Sequence, residues 1–187
     1  MLTHWNATGV LGVVVITVAA VVLASAPACA RSTTLTLAEA AYVCDPADST
    51  NSRLLLSFSL PPALRNSTVD LAVLQLEVAV EGSDAGISTS IFPTIRDWSA
   101  DTVVWDEDWD SGEEAWDARH GTYCDIVSGP RVRAAADVTM PLQYWVSRGG
   151  QSARFVVVPS RGAPGFVASI VGGGVARIHV RYSGVRR

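Results

Sequence analysis

Four of the six tryptophans fall between Trp98 and Trp116, a stretch otherwise rich in acids. Trp109 and Trp116 sit among polar residues there, and flat indole faces in such a setting can stack on the C–H faces of sugar rings. The same stretch, Asp101–Asp117, holds eight of the chain's 18 carboxylates. Within it Asp106, Asp108, Asp110 and Asp117 follow the first, third, fifth and twelfth positions of an EF-hand calcium loop. Ser111 stands where that loop needs Gly, and Asp117 where it needs a bidentate Glu. Two readings stand: a calcium-ordered loop, or an acidic loop solvated as it is. All-oxygen ligands exclude zinc as the expected metal. No cofactor is required, and calcium is the one cation the spacing would suit.

Arg177 and Arg181 flank His179 on an alternating segment near the end of the chain. Two guanidiniums on one strand face suit the carboxylates or sulfates of an anionic glycan, while scattered surface Arg serving solubility is the plainer reading. Catalytic signatures are few. There is no Gly-x-Ser-x-Gly elbow and no phosphate-binding glycine loop, and the three His lack metal-ligand spacing. A binding role without catalysis is therefore expected. Formal net charge is −4 and all 14 basic residues are Arg, so nothing in the bulk charge favours nucleic acid.

These residues need a scaffold, and the hydropathy pattern predicts strands. Leu54, Leu56, Phe58 and Leu60 alternate with Leu55, Ser57 and Ser59, the pattern of a half-buried strand, and Ala72, Leu74, Leu76, Val78 and Val80 form one face of the clearest strand. Ile87, Thr89 and Ile91 begin a further strand, and short ones follow near 103–105, 132–134, 154–158, 166–171 and 176–182. One segment changes period: Val138, Leu142, Trp145 and Val146 share a helical face, with Pro141 in the first turn and Gly149 and Gly150 as the stop. The expectation is an all-β, antiparallel β-sandwich of jelly-roll type, with one short helix near 138–147.

Residues 1–30 read as a signal peptide or an uncleaved membrane anchor. Val10 to Ala28 carries no charge, and Ala26, Ala28 and Ala30 offer cleavage after Ala28 or Ala30. Lipidation at Cys29 ranks behind both. Residues 31–187 then form a single domain, secreted or anchored at the cell surface, touching the membrane only if the first segment is retained. In that oxidising compartment Cys44 and Cys124 form an even pair, read as a disulfide, with two buried thiols as the alternative.

The blocks LLLSFSLP…VDLAVLQLEV, DWSADTVVW, ADVTMPLQYWVSRGG…ARFVVV and ARIHVRYSG, in this order over about residues 35–185, resemble the DNRLRE domain family, also classed as carbohydrate-binding module family 96. The resemblance implies an extracellular jelly-roll sandwich with a polysaccharide-binding role. It places Trp98, Trp105 and Trp145 in framework motifs, hence in the core, and carries over no binding residue. Polysaccharide, anionic if the Arg stripe is used, is the expected partner. A structural or adhesive scaffold domain without a glycan site is the alternative.

Overall fold

The computed structural model describes residues 30–48, 51–81, 87–126, 129–160, 167–170 and 176–184. Residues 1–29, on which the signal-peptide or anchor reading rests, lie outside them. Nine strands are present among the described residues: β1 Arg31–Cys44, β2 Ser52–Ser59, β3 Ser67–Glu81, β4 Ile87–Pro93, β5 Thr122–Ile126, β6 Gly129–Asp137, β7 Ser152–Pro159, β8 Val167–Ile170 and β9 Arg177–Gly184. Two helices join them, α1 Glu107–Ser111 and α2 Thr139–Ser147.

Every pairing is antiparallel, and the strand order is β5-β4-β7-β2-β1-β9-β3-β6, with β8 alongside β3. This is a jelly roll. The layer β1-β9-β3-β6 (sheet A) faces the layer β2-β7-β4-β5 (sheet B), as when a long hairpin is rolled up on itself. Strand β1 belongs to both layers: Arg31–Thr36 pair with β9, and Leu37–Cys44 pair with β2. Leu37 lies opposite Phe58 and Glu39 opposite Ser57, so Ala38 is the extra residue of a bulge. A bulge bends a strand, which is what passage from one layer to the other needs.

The space between the layers is filled by the alternating residues of both. Leu54, Leu56 and Phe58 of β2 meet Leu74 and Leu76 of β3, Ile178 and Val180 of β9, and Phe155 and Val157 of β7, all buried. Phe58 and Phe155 touch edge to face, 5.9 Å between centroids. Strands therefore form at 54–59, 72–80 and 177–182, with Ala72, Leu74, Leu76, Ile178, Val180 and Tyr182 inward as expected; β2 differs from the half-buried strand expected, since Leu55 and Ser57 on its other face are buried as well. Strand β1 and the short β5 were not read, and residues 103–105 are not a strand. Helix α2 forms where the period changed. Asp137 Oδ1 accepts from Thr139 N–H at 2.9 Å, and Gly149 takes φ +66° just past its end.

Helix α2 also completes a sheet edge. Strand β6 covers β3 only from Val73 onward. Beyond it Ala72 N–H donates to Thr139 Oγ1 at 2.9 Å, Val69 N–H donates to Gln143 Oε1 at 2.7 Å, and Gln143 Nε2 donates to Ser67 O at 3.3 Å. The side chains of the helix thus stand in for a missing strand.

Candidate functional site

The outer face of sheet B is covered. The connection from β4 to β5, residues 94–121, lies over it and builds a second apolar cluster in which Val43, Leu55 and Val156 of the sheet meet Trp98, Trp109 and Ala115. Trp109 is 1% exposed, so the expectation of an open indole at this position is corrected: its ring is core. The cause is a one-turn helix. Asp106 Oδ1 caps α1 by accepting from Trp109 N–H at 3.3 Å, and a single turn turns one residue of EDWDS inward while the acids stay outside. Trp116 is partly buried and lies parallel to Phe92, with centroids 5.9 Å apart and planes 7° apart. Arg53, itself 5% exposed, sits over Trp105 at 5.0 Å and Trp116 at 5.5 Å, and its Nη2 donates to Asp110 O at 3.2 Å.

Gly112 and Gly121 clamp the stacked pair. Gly112 has φ +79°, and a Cβ there would come within 2.1 Å of the Trp116 ring; one on Gly121 would meet the Phe92 ring at 2.2 Å. Both rings lie so close to backbone that only hydrogen fits.

The four acids do not converge on a cation. Arg96 Nη1 reaches Asp106 at 2.7 Å and Asp108 at 3.0 Å, while Asn51 Nδ2 donates to Asp110 Oδ1 at 2.6 Å. Asp117 stands apart, receiving Arg119 N–H at 3.0 Å and lying 3.2 Å from His120 Nδ1. Among the described residues no three His, Cys, Asp or Glu are grouped to hold a metal ion. The alternate spacing of Asp106, Asp108 and Asp110 coincides here with an N-cap and the acids of a first helical turn, where the helix dipole favours negative charge, and Arg96 pairs with Asp106 and Asp108. Burial pushes the Asp117 carboxyl up, but hydrogen bonds from the Arg119 backbone and guanidinium and from His120 outweigh it and hold it below the usual carboxylate range.

The cysteine pair is also corrected. Cys44 and Cys124 are both free thiols. Cys44 is on β1 and Cys124 on β5, the far strand of the same sheet with β2, β7 and β4 between. Four strand spacings of about 4.8 Å each far exceed the Cα separation of a disulfide. Cys124 Sγ instead lies 3.6 Å from Ala135 O, where β5 approaches β6. Burial, then the Asp125 charge, pushes its thiol pKa up.

The outer face of sheet A is polar, and Arg177 and Arg181 both lie on it, as expected. The register sets the neighbours in rows across the strands. Arg181 is beside Ser32 and Leu71; His179 is beside Thr34 and Val73; Arg177 is beside Thr36 and Gln75, with Ala135 next; Glu77 is beside Arg133. His179 is held rather than loose: Nδ1 lies 3.1 Å from Thr34 Oγ1 and Nε2 3.2 Å from Gln75 Oε1, and a neutral ring protonated on Nε2 satisfies both. Here Gln75, Glu77, Arg133, Ala135 and Arg177, with Leu76 and Ala134, line a groove of about 370 Å³. Arg133 Nε is 3.5 Å from Glu77 Oε2.

The expected site residues thus split between opposite faces. Trp109 and Trp116 are packed over sheet B, whereas Arg177 and Arg181 front sheet A, so the four make no single site. Arg133, Gln75 and Glu77 were missed; their alternation on β3 and β6 marks them as outward, but only the register brings them beside Arg177. No family model matches the chain, and no curated protein matches it in sequence.

Proposed function

We propose that this chain is a non-catalytic, extracellular binding module that takes an anionic polysaccharide along the outer face of sheet A. The observation that carries the reading is the groove of about 370 Å³ between Arg177 and Arg133. Guanidiniums are planar forks matched to carboxylate or sulfate oxygens, and Gln75 and Glu77 between them accept from or donate to sugar hydroxyls according to type. Arg181 extends the row by four strand residues from Arg177, about 13 Å. An open face of this kind suits a chain lying across it. The resemblance to carbohydrate-binding module family 96 supports the same role, with the contacts coming from Arg and amide groups in place of stacked indoles.

Affinity electrophoresis of the intact chain through gels holding a polyuronate, a sulfated galactan or a neutral glucan tests this. Retardation by an acidic polymer is expected, weakened by added salt and reduced in Arg177→Ala and Arg133→Ala. Mobility unchanged in every gel sinks the reading.

The burial of Trp109 at 1% exposure favours a second reading, a structural or adhesive scaffold in which the tryptophan layer only stiffens the sandwich. It requires that the intact chain migrate unretarded in all the gels.

A further inference from the structure

Arg177 and Arg181 are charged at every ordinary pH, but the outward residue between them is a histidine. Successive residues on one face of a strand are about 7 Å apart, so the His179 ring stands midway between two guanidiniums. It also bonds to Gln75, which lines the groove. Both ring nitrogens are engaged: Nδ1 lies 3.1 Å from Thr34 Oγ1 and Nε2 3.2 Å from Gln75 Oε1. The Gln75 oxygen only accepts, so Nε2 carries a hydrogen, whereas the Thr34 hydroxyl can donate or accept. A neutral ring receives the Thr34 hydrogen at Nδ1. A protonated ring donates from Nδ1 to the same Oγ1, and the exposed Thr34 hydroxyl then turns its hydrogen outward. One geometry thus serves both charge states: taking up the proton forfeits no hydrogen bond and frees a donor toward a bound chain.

The surrounding charges decide when that proton is taken. Across from β9, strand β1 presents the uncharged Ser32, Thr34 and Thr36. On β3 the ring has Val73 and Gln75 beside it, and the next outward group, Glu77, lies 3.5 Å from Arg133 of β6. Asp137 of β6 ends the row of His179, two strand spacings or about 10 Å away. Its Oδ1 accepts from Thr139 N–H. Beyond Arg181, Asp70 Oδ1 accepts from Ser183 Oγ–H at 3.1 Å. In the free protein, then, two like charges flank the ring and oppose a third. An anionic chain laid along Arg177 and Arg181 reverses that balance, because its acid groups lie against the ring and favour the charged form. Binding therefore draws in a proton, and by linkage affinity rises as pH falls through the range in which histidine gains its charge.

We propose that His179 is a proton-gated contact for the anionic chain on sheet A, a neutral ring at slightly basic pH and a third cation in the row in a mildly acid medium. This rests on the reading of sheet A as a surface for anionic glycans, and adds the residue that makes recognition conditional on pH. With the ring neutral, the cations of β9 stand about 13 Å apart; with it charged, one meets the chain about every 7 Å.

Binding isotherms of the intact chain with a polyuronate and with a sulfated galactan, at pH 7.5 and pH 5.5 and one ionic strength, provide the test. Both polymers remain ionised across that interval, so a difference belongs to the protein. Wild type is expected to bind each of them about three- to fivefold more tightly at pH 5.5, the size of one exposed ion pair. His179→Gln, uncharged at both pH values and still able to bond Thr34 and Gln75, should bind equally at the two. His179→Arg should bind at pH 7.5 as wild type does at pH 5.5, with no further gain on acidification. His120→Gln removes the other histidine of residues 30–187, which lies beside Asp117 in the connection over sheet B, and should keep the wild-type step. Equal wild-type affinity at the two pH values, or a step that survives in His179→Gln, overturns the proposal and leaves the anionic-glycan reading standing. Absence of binding to both polymers at both pH values overturns the two together.

Discussion

Gly112 shows how narrowly single residues set the tryptophan layer. Its φ of +79° strains any L side chain, and its Cα hydrogen is all that fits beneath Trp116. Gly112→Ala should lower stability by about 3 kcal/mol, combining the left-handed backbone with overpacking, and a urea midpoint shift at unchanged slope would show it. Wild-type stability would mean that Trp116 moves aside freely. Asp117 makes a charge-based contribution at the other end of the same connection. Its carboxyl is held below the usual range, so its stabilisation is complete above the unfolded value of about 3.9 and is lost as pH falls through the lower folded value. Asp117→Asn should therefore be less stable than wild type at pH 7, with the gap closing toward pH 2 in parallel urea titrations. A gap that stays constant with pH would assign the loss to shape and not charge.

Helix α2 is where an element does the work of another. Gln143 supplies both an acceptor for Val69 N–H and a donor to Ser67 O, taking the place of a neighbouring strand. Gln143→Leu keeps the bulk and the helix but leaves both backbone groups unpaired, with an expected loss of about 1–3 kcal/mol. Faster hydrogen exchange confined to residues 67–72 would locate the effect; exchange unchanged there would refute it. Elements with unbroken alternation were legible in the sequence because each has one face in the core: β2, the middle of β3, and β9. The first strand was not, because the bulge at Ala38 resets the period midway and AEAAY offers little contrast between faces. The acidic connection reads two ways for a physical reason as well. Asp at alternate positions is what a cation loop requires, but also what a capped helix start produces, and the Arg96 that pairs with two of them lies outside the run. Arg177 and Arg181 could be placed on an outer face from alternation alone; their partner Arg133 needed the pairing of β3 with β6.

At the scale of the whole molecule, the tryptophan layer turns one side of the sandwich into a three-layered body and leaves the other side open. Stability then rests on two apolar clusters instead of a cross-link. Peptide mapping without reductant should recover Cys44 and Cys124 as separate free thiols, and alkylation of the folded protein should be slow at Cys124, whose thiol is kept protonated. A recovered Cys44–Cys124 linked peptide would contradict the strand order itself. The β1–β9 ladder carries a mechanical consequence. Arg31 pairs with Tyr182, so the two ends of the fold leave side by side. Force applied through both ends at once therefore peels that ladder one bond pair at a time, as a zip opens, and meets little resistance. Attachment through residue 31 alone puts no load across it, leaving a domain held by a single tether free to swivel while its ladder stays slack.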